Sequence, residues 1–383
     1  MISKLRSIIH LTSVHPRYEI RTFLKECVSL AHYGYDVSIV LADGNGNEVK
    51  DEVNIFDAGV KSGGRLLRMT RTVGKIYKKA RELDGIIYHF HDPELIPVGL
   101  KLKKSGKIVI YDVHEDYSED ILNKEWIPCF LRSVISQVFD RYENYAVKKF
   151  DGVITATPHI REKFEKLNPN TIDLNNFPIL SSTVINEFTE APKSKSVVYI
   201  GAINRIRGIA EMISALELTD AKLVLAGNFS TTEDFALAKS MKGWAQVEYR
   251  GQVDRSKVAK ILSESVAGIV LYHPGPNHDE CQPNKLFEYM AARLPVIASN
   301  LPLWREIVEK NKCGICVNPL NPREIADAIN WMLQNPSDTA EMGKNGLKAV
   351  LEKFNWEAES HKLIKIYEAL PKQPSYCHGN KNN

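Results

Sequence analysis

Short apolar runs alternate with longer segments of helical period along almost the whole chain, and this alternation restricts the fold more than any other feature. Ser7–Leu11, Asp36–Leu41, Gly85–Phe90, Lys107–Tyr111 and Gly152–Ala156 read as buried strands. Between the first two, Thr22–Tyr33 repeats apolar residues at Leu24, Val28 and Ala31, and Gly34 follows as a C-cap. Strand, helix, strand in this order predicts βαβ units on a parallel sheet. A polar stretch with a proline, Thr189–Ser196, interrupts the pattern. A second series then begins, with strands expected at Val197–Ile200, Ala221–Ala226, Val247–Arg250, Gly268–Tyr272, Pro295–Ala298 and Gly314–Val317. Helices are expected near 206–216, 255–263, 285–292 and 322–334.

The chain therefore reads as two doubly wound α/β domains in series, and 383 residues is ample for two separate cores. The expected boundaries are an N-terminal domain over 1–180, a linker over 181–196 and a C-terminal domain over 197–350. A terminal helix over 351–370 would pack back toward the first domain, and the tail over 371–383 would fray. Doubly wound sheets bind ligands at the carboxyl ends of their strands, so a cleft between two such domains is the default site.

Composition removes several classes. Lys+Arg total 50 against 47 Asp+Glu, for a net charge of +3, which argues against a dedicated nucleic-acid binder. A 44% hydrophobic content excludes disorder over most of the chain. The six cysteines are too sparse for a disulfide scaffold and suit a reducing compartment. No stretch resembles a signal peptide or a membrane span, so a cytoplasmic location is expected.

The most informative segment is Glu280–Ser299, ECQPNKLFEYMAARLPVIAS. Pro283 suits the first turn of a helix. Glu280 then lies in the preceding loop and Glu288 early in the helix, both near an N-terminus that favours phosphate. Two solvated glutamates flanking a core helix are the plainer alternative. The context Pro283-Asn-Lys-Leu-Phe-Glu-Tyr-Met-Ala-Ala, continuing to Pro295-Val-Ile-Ala-Ser, resembles the retaining glycosyltransferases of the family-4 type, which have the two-domain GT-B fold. Gly201 with Arg207-Gly208, Gly251-Gln252-Val253, Asn300-Leu301-Pro302, Glu306-Ile307-Val308 and Gly314 fit the same pattern in order. The resemblance runs from Ile9 to about Ala369 and is strongest over 197–317.

The resemblance implies roles. Glu288 would bind the ribose and Glu280 would contact the donor sugar near the reacting carbon. Backbone amides around Asn284, Lys285 and Leu286 would hold the diphosphate, with Gly201 and Val253 completing the donor pocket. Arg207 takes the position of the family's lysine and would stabilise charge growing on the leaving diphosphate. Ala202 stands where the family has arginine, and Arg205 is a candidate substitute; a solvated loop is the alternative for both arginines. The donor would be a nucleotide diphosphate-sugar, UDP ahead of GDP, with no other cofactor. The acceptor would be a saccharide or polyprenyl-linked saccharide in O-antigen, capsule or exopolysaccharide assembly. Rival readings are a nucleotide-sugar 2-epimerase and a non-catalytic GT-B binding subunit.

In the first domain, His91-Asp92-Pro93 and His114-Glu115-Asp116 each follow a strand, on the ligand side. The resemblance puts His114 against the donor sugar and the acceptor side. His91 and Glu115 are acceptor-side candidates, as is Arg21 in the first βα turn, which could equally be a surface residue. No Asp-x-Asp pair occurs, so no metal is expected at the diphosphate. Cys313-Gly-Ile-Cys316 has redox spacing but lacks a second pair and reads as structural.

Lys61–Arg81 carries eight basic residues and no acidic one. Leu66, Met69, Val73, Ile76, Ala80 and Leu83 form one apolar stripe, with Arg68, Arg71, Lys75 and Lys78 on another face. Core packing explains the stripe; the basic face, with Trp126, Ile127, Phe130 and Leu131 in 125–139, also suits an anionic membrane.

Overall fold

The computed structural model describes residues 7–124, 126–180, 194–275 and 278–371. They form two compact units, the first ending at Leu174 and resuming at Ser360, the second running from Asn175 to Glu359. Most of the expected linker lies outside the described residues, as does the tail beyond Pro371.

The first unit is built on strands β1 (Ser7–Leu11), β2 (Asp36–Leu41), β3 (Glu48–Lys50), β4 (Val53–Asp57), β5 (Ile87–Phe90), β6 (Ile108–Val113), β7 (Gly152–Thr155) and β8 (Thr171–Asp173). Their order is β3-β4-β2-β1-β5-β6-β7-β8, parallel except for the β3–β4 hairpin. The switch point lies between β1 and β5, where the winding reverses. β3, β4 and β8 were not expected; β3 and β8 have only three residues each, too few for a periodic signal.

The expected helix over Thr22–Tyr33 starts as a π-helical segment, Ile20–Cys27, and continues as Val28–His32. The wider i→i+5 turn puts Arg21 and Glu26 together, with Arg21 Nε 3.2 Å from Glu26 Oε1. Glu19 caps the segment, accepting from the Thr22 amide at 2.6 Å.

The basic segment is helical over 65–83, in three pieces. Its stripe divides: Val73, Ile76 and Ala80 are buried, whereas Leu66 and Met69 are exposed, as is the neighbouring Leu67. Arg68 does not belong to a solvated basic face, because Glu94 grips it with two bonds of 2.8 and 2.9 Å. Ile127, expected at the surface, is buried. On the helix Cys129–Val147, Phe130, Leu131, Val134, Ile135, Val138, Tyr142 and Tyr145 are exposed.

The second unit holds β9 (Ser196–Ile200), β10 (Lys222–Ala226), β11 (Val247–Gly251), β12 (Ala267–Val270), β13 (Val296–Ser299) and β14 (Gly314–Val317). All are parallel in the order β11-β10-β9-β12-β13-β14, with the switch point between β9 and β12. The period of two divides β9 between two cores. Val197 and Tyr199 pack toward helices Ile209–Leu216 and Pro322–Gln334. Val198 packs toward helices Asn284–Ala291 and Pro336–Glu352.

Residues 175–180, assigned by sequence to the first domain, belong with the second unit. The Trp356 amide donates to Pro178 O at 2.8 Å, and Phe177 packs edge-on against Phe287 and Phe354. The helix Trp356–Ala369 joins the first unit from Ser360. There Tyr367 meets His89 Nδ1 at 2.8 Å, and Tyr33 donates to Glu368 at 2.6 Å.

Candidate active site

In the second unit Gly201, Arg207 and Lys285 come together at the carboxyl ends of β9 and β12. Gly201 ends β9 with φ +136, a conformation open to glycine. A Cβ there would also strike the Lys285 side chain, with Nζ at 2.6 Å. Gly201 therefore lets the lysine lie across the strand end, its Nζ 5.4 Å from the Tyr199 ring centroid. Gly208, at φ +69, allows the helix Ile209–Leu216 to start hard against Leu271.

Arg207 sits in a single turn, Arg205–Arg207, capped by Asn204, whose side chain accepts from the Arg207 amide at 3.0 Å. Its guanidinium lies 5.3 Å from the Tyr272 ring centroid and donates to Ala202 O at 3.3 Å. Among the described residues, neither Arg207 nor Lys285 comes within ion-pair distance of a carboxylate. Burial, and then the neighbouring Arg207, pull the Lys285 ammonium down to about 8 against the opposing pull of Glu288. Two neighbouring cations at a strand end, one of them depressed by the other, make a seat for an anion. The ring faces of Tyr199 and Tyr272 hold them in place without neutralising them.

The helix Asn284–Ala291 begins beside this pair, after Pro283. The Leu286 amide turns back to Pro283 O at 3.0 Å. Among the described residues no carbonyl accepts from the Asn284 or Lys285 amides, which leaves these two for a ligand. Glu280 and Glu288 are both exposed. Tyr289 fixes the helix to β9 by accepting from the Ile200 amide at 2.9 Å. Val253 follows a loop pinned through Gly227 N to Gly251 O at 2.7 Å.

Arg205 stands apart. It is exposed, and its Nε bonds Asp234 at 3.2 Å. Tyr199, Tyr272 and Tyr289 escaped sequence reading, because an aromatic at a strand end or in a helix carries the same pattern as any core residue. His273, after β12, also escaped it; its Nε2 lies 3.1 Å from Glu211. Burial pushes the thiols of Cys281, Cys313 and Cys316 up to about 12, far from a reactive thiolate.

In the first unit Asp112, at the end of β6, is the hub. It accepts from Arg21 NH2 at 2.8 Å and meets His114 Nε2 at 2.8 Å and His91 Nδ1 at 3.0 Å. Burial alone would raise its carboxyl; Arg21 and then His114 outweigh this and hold it well below the usual carboxylate range. Arg21, expected at an acceptor site or on the surface, is buried and also donates to Leu174 O at 2.6 Å. The His15 ring lies tilted against His114, centroids 4.9 Å apart, which brings the first βα turn to the end of β6. Asp92 staples that turn, accepting from Thr12 Oγ1 at 2.9 Å and the Ser13 amide at 2.6 Å. Glu115 is exposed beside them.

The chain matches two families, Glycosyltransferase Family 4 over residues 21–174 and Glycosyl transferases group 1 over residues 182–349. It is 21% identical over 286 residues to the D-rhamnosyltransferase WbpZ of Pseudomonas aeruginosa, covering 70% of each chain. In structure it resembles the sucrose-phosphate synthase of Thermosynechococcus elongatus, at TM-score 0.72 and 18% identity over 95% of this chain and 98% of that one. It also resembles Anabaena HepE in complex with UDP and glucose, at TM-score 0.71 and 15% identity over 95% and 100%. These likenesses establish the two-domain GT-B fold. A Family 4 match in the first half and a group 1 match in the second, on this fold, together support a GT-B glycosyltransferase of the family-4 type.

Proposed function

We propose that the chain moves a hexose from a nucleoside diphosphate sugar to a hydroxyl of a saccharide or polyprenyl-linked saccharide, with retention of anomeric configuration. The observation that carries this is the uncompensated pair Arg207 and Lys285 beside Gly201 and the free amides of Asn284 and Lys285. A diphosphate is the ligand such a seat suits. Glu288 would take the ribose hydroxyls and Glu280 the donor sugar. UDP is the preferred nucleotide, supported by HepE, which is seen with UDP and with UDP-glucose.

In the reaction the bond from the anomeric carbon to the diphosphate oxygen breaks, and a bond to the acceptor oxygen forms on the same face. The acceptor proton passes to the departing phosphate. Arg207 and Lys285 stabilise the charge that grows there, which places no metal requirement on the donor site. Residues of the first unit around His114 and Glu115 would receive the acceptor; His91, the other sequence candidate, is fully buried and bonded to Asp112.

Screening UDP and GDP sugars for transfer and hydrolysis tests the reading. Turnover of one donor, undiminished without added Mg²⁺ or Mn²⁺, supports it; a strict need for either ion overturns the metal-free donor site. Conversion of a nucleotide sugar to its 2-epimer without acceptor would establish the rival epimerase. Nucleotide binding without turnover of any donor would establish the non-catalytic subunit.

Attachment to the inner membrane face is part of the same proposal, in the context of cell-surface polysaccharide assembly. Leu66, Leu67 and Met69 on one helix and Phe130, Val134 and Val138 on another are exposed. Arg65 lies over the exposed Trp126 ring at 4.3 Å. Arginine on an exposed tryptophan amid aliphatic side chains suits an anionic interface. No helix among the described residues is long and apolar enough to cross a membrane. Co-sedimentation with anionic but not neutral vesicles is expected, and equal recovery with both would sink this part.

A further inference from the structure

The interior of the first unit contains a cluster that the glycosyl-transfer reading does not use. His10 on β1 lies in register beside His89 on β5, and His91 follows two residues later, on the same face. The π-helical segment Ile20–Cys27 brings Glu26 against them. All four side chains are fully buried. One donor atom from each lies within 4.8 Å of the others.

The outer atoms of this cluster are held, and several of the inner ones are not. His91 Nδ1 is fixed by Asp112 at 3.0 Å, and His89 Nδ1 by Tyr367 at 2.8 Å. Yet His10 Nε2, His89 Nε2 and Glu26 Oε2 have no hydrogen-bond partner among the described residues, while Glu26 Oε1 faces Arg21 Nε at 3.2 Å. Each such buried orphan costs about 1–3 kcal/mol, and native interiors seldom gather several at one point. An imidazole whose far nitrogen is bound by a carboxylate or hydroxyl, with its near nitrogen free, is how proteins orient a metal ligand. His10 Nδ1 and His91 Nε2 share a hydrogen bond of 2.9 Å, which an ion would replace, and His89 Nε2 to Glu26 Oε2 is 3.8 Å. These values bracket the roughly 3.3 Å edge of a tetrahedron with bonds of about 2.0–2.1 Å.

We propose that His10, Glu26, His89 and His91 bind one divalent transition-metal ion of the zinc class, as a closed structural site. Three imidazoles and one carboxylate suit zinc and its neighbours and disfavour calcium and magnesium. The complete burial of all four leaves no position for substrate, so the ion ties β1, β5 and the Ile20–Cys27 segment together.

The test reads metal content and not turnover, so it stands apart from the donor-site reading. A tag-free full-length chain is assayed for zinc by elemental analysis, then stripped with a strong chelator and titrated with zinc or cobalt. One zinc per chain is expected, with a Tm that falls on stripping and recovers on zinc addition. Cobalt should give the visible bands of a tetrahedral ion. Glu26→Gln and His89→Gln should reduce zinc to background, whereas His32→Ala, at a surface histidine, should keep it. If the two ligand variants fail to fold by circular dichroism, the wild-type arm decides alone. A folded wild-type chain without zinc, showing neither a Tm response to zinc nor cobalt bands, overturns the proposal. The orphan atoms would then be met by a buried water and a protonated Glu26.

Discussion

The two units carry cations at the same topological place, the carboxyl ends of strands near a switch point, and treat them in opposite ways. In the first unit Arg21 is buried and satisfied by Asp112, Glu26 and a carbonyl. In the second, Arg207 lies over the Tyr272 ring and Lys285 over the Tyr199 ring, with no carboxylate in ion-pair range among the described residues. A neutralised cation is structural, because its field ends on its partners. An uncompensated pair keeps its field for a ligand, and the depressed Lys285 is the mark of that strain.

The sharpest way to break this contrast is to remove each cation and ask whether stability or turnover responds. Arg21→Met strands Asp112 and Glu26 without their cation and should cost about 3–5 kcal/mol, read as a Tm drop of roughly 10 °C. Arg207→Ala should leave Tm nearly unchanged and lower kcat about 10²–10³-fold. An unchanged kcat would remove Arg207 from the transition state.

Glu288→Ala should weaken nucleotide diphosphate binding about 10–100-fold by calorimetry, the worth of a charged hydrogen bond or two. The pH dependence is a finer probe. Lys285 in the free chain is charged below about pH 8 and neutral above it. A bound diphosphate favours the charged form, so affinity should be full below pH 8 and fall by about tenfold per unit above it, until the higher pKa of the complex is reached. Titration of Kd against pH checks the sign; a rise in affinity above pH 8 would contradict it. Arg205→Ala should do least. It is an exposed ion pair with Asp234, so Tm should move by under about 0.5 kcal/mol equivalent and kcat hardly at all. A large loss of kcat there would return Arg205 to the phosphate clamp.

Much of the fold was legible. Strands such as β1, β2 and β14 begin and end where their apolar runs do. The helix Pro322–Gln334 is delimited by its asparagine cap and proline start. Short strands were not legible, because three residues carry no period. The donor segment was legible as a motif, since Pro283, the glutamates and the glycines are local features of one chain segment. Partners contributed from elsewhere were not: nothing near Lys285 in sequence announces the Tyr199 ring, and nothing near Arg21 announces Asp112. Periodicity likewise found an apolar stripe at 66–83 without showing that its first turn faces solvent while Val73, Ile76 and Ala80 do not.

By itself, the sequence determined the order of strands and helices, the doubling of the α/β pattern and the segment that bears the donor motif. These depend on local propensity and on periods read along the chain. Tertiary structure alone decided which charges cancel. Coulomb and desolvation energies depend on separation and burial, and both are set by segments far apart in the chain, as with Arg21 against Asp112 and Lys285 against Arg207.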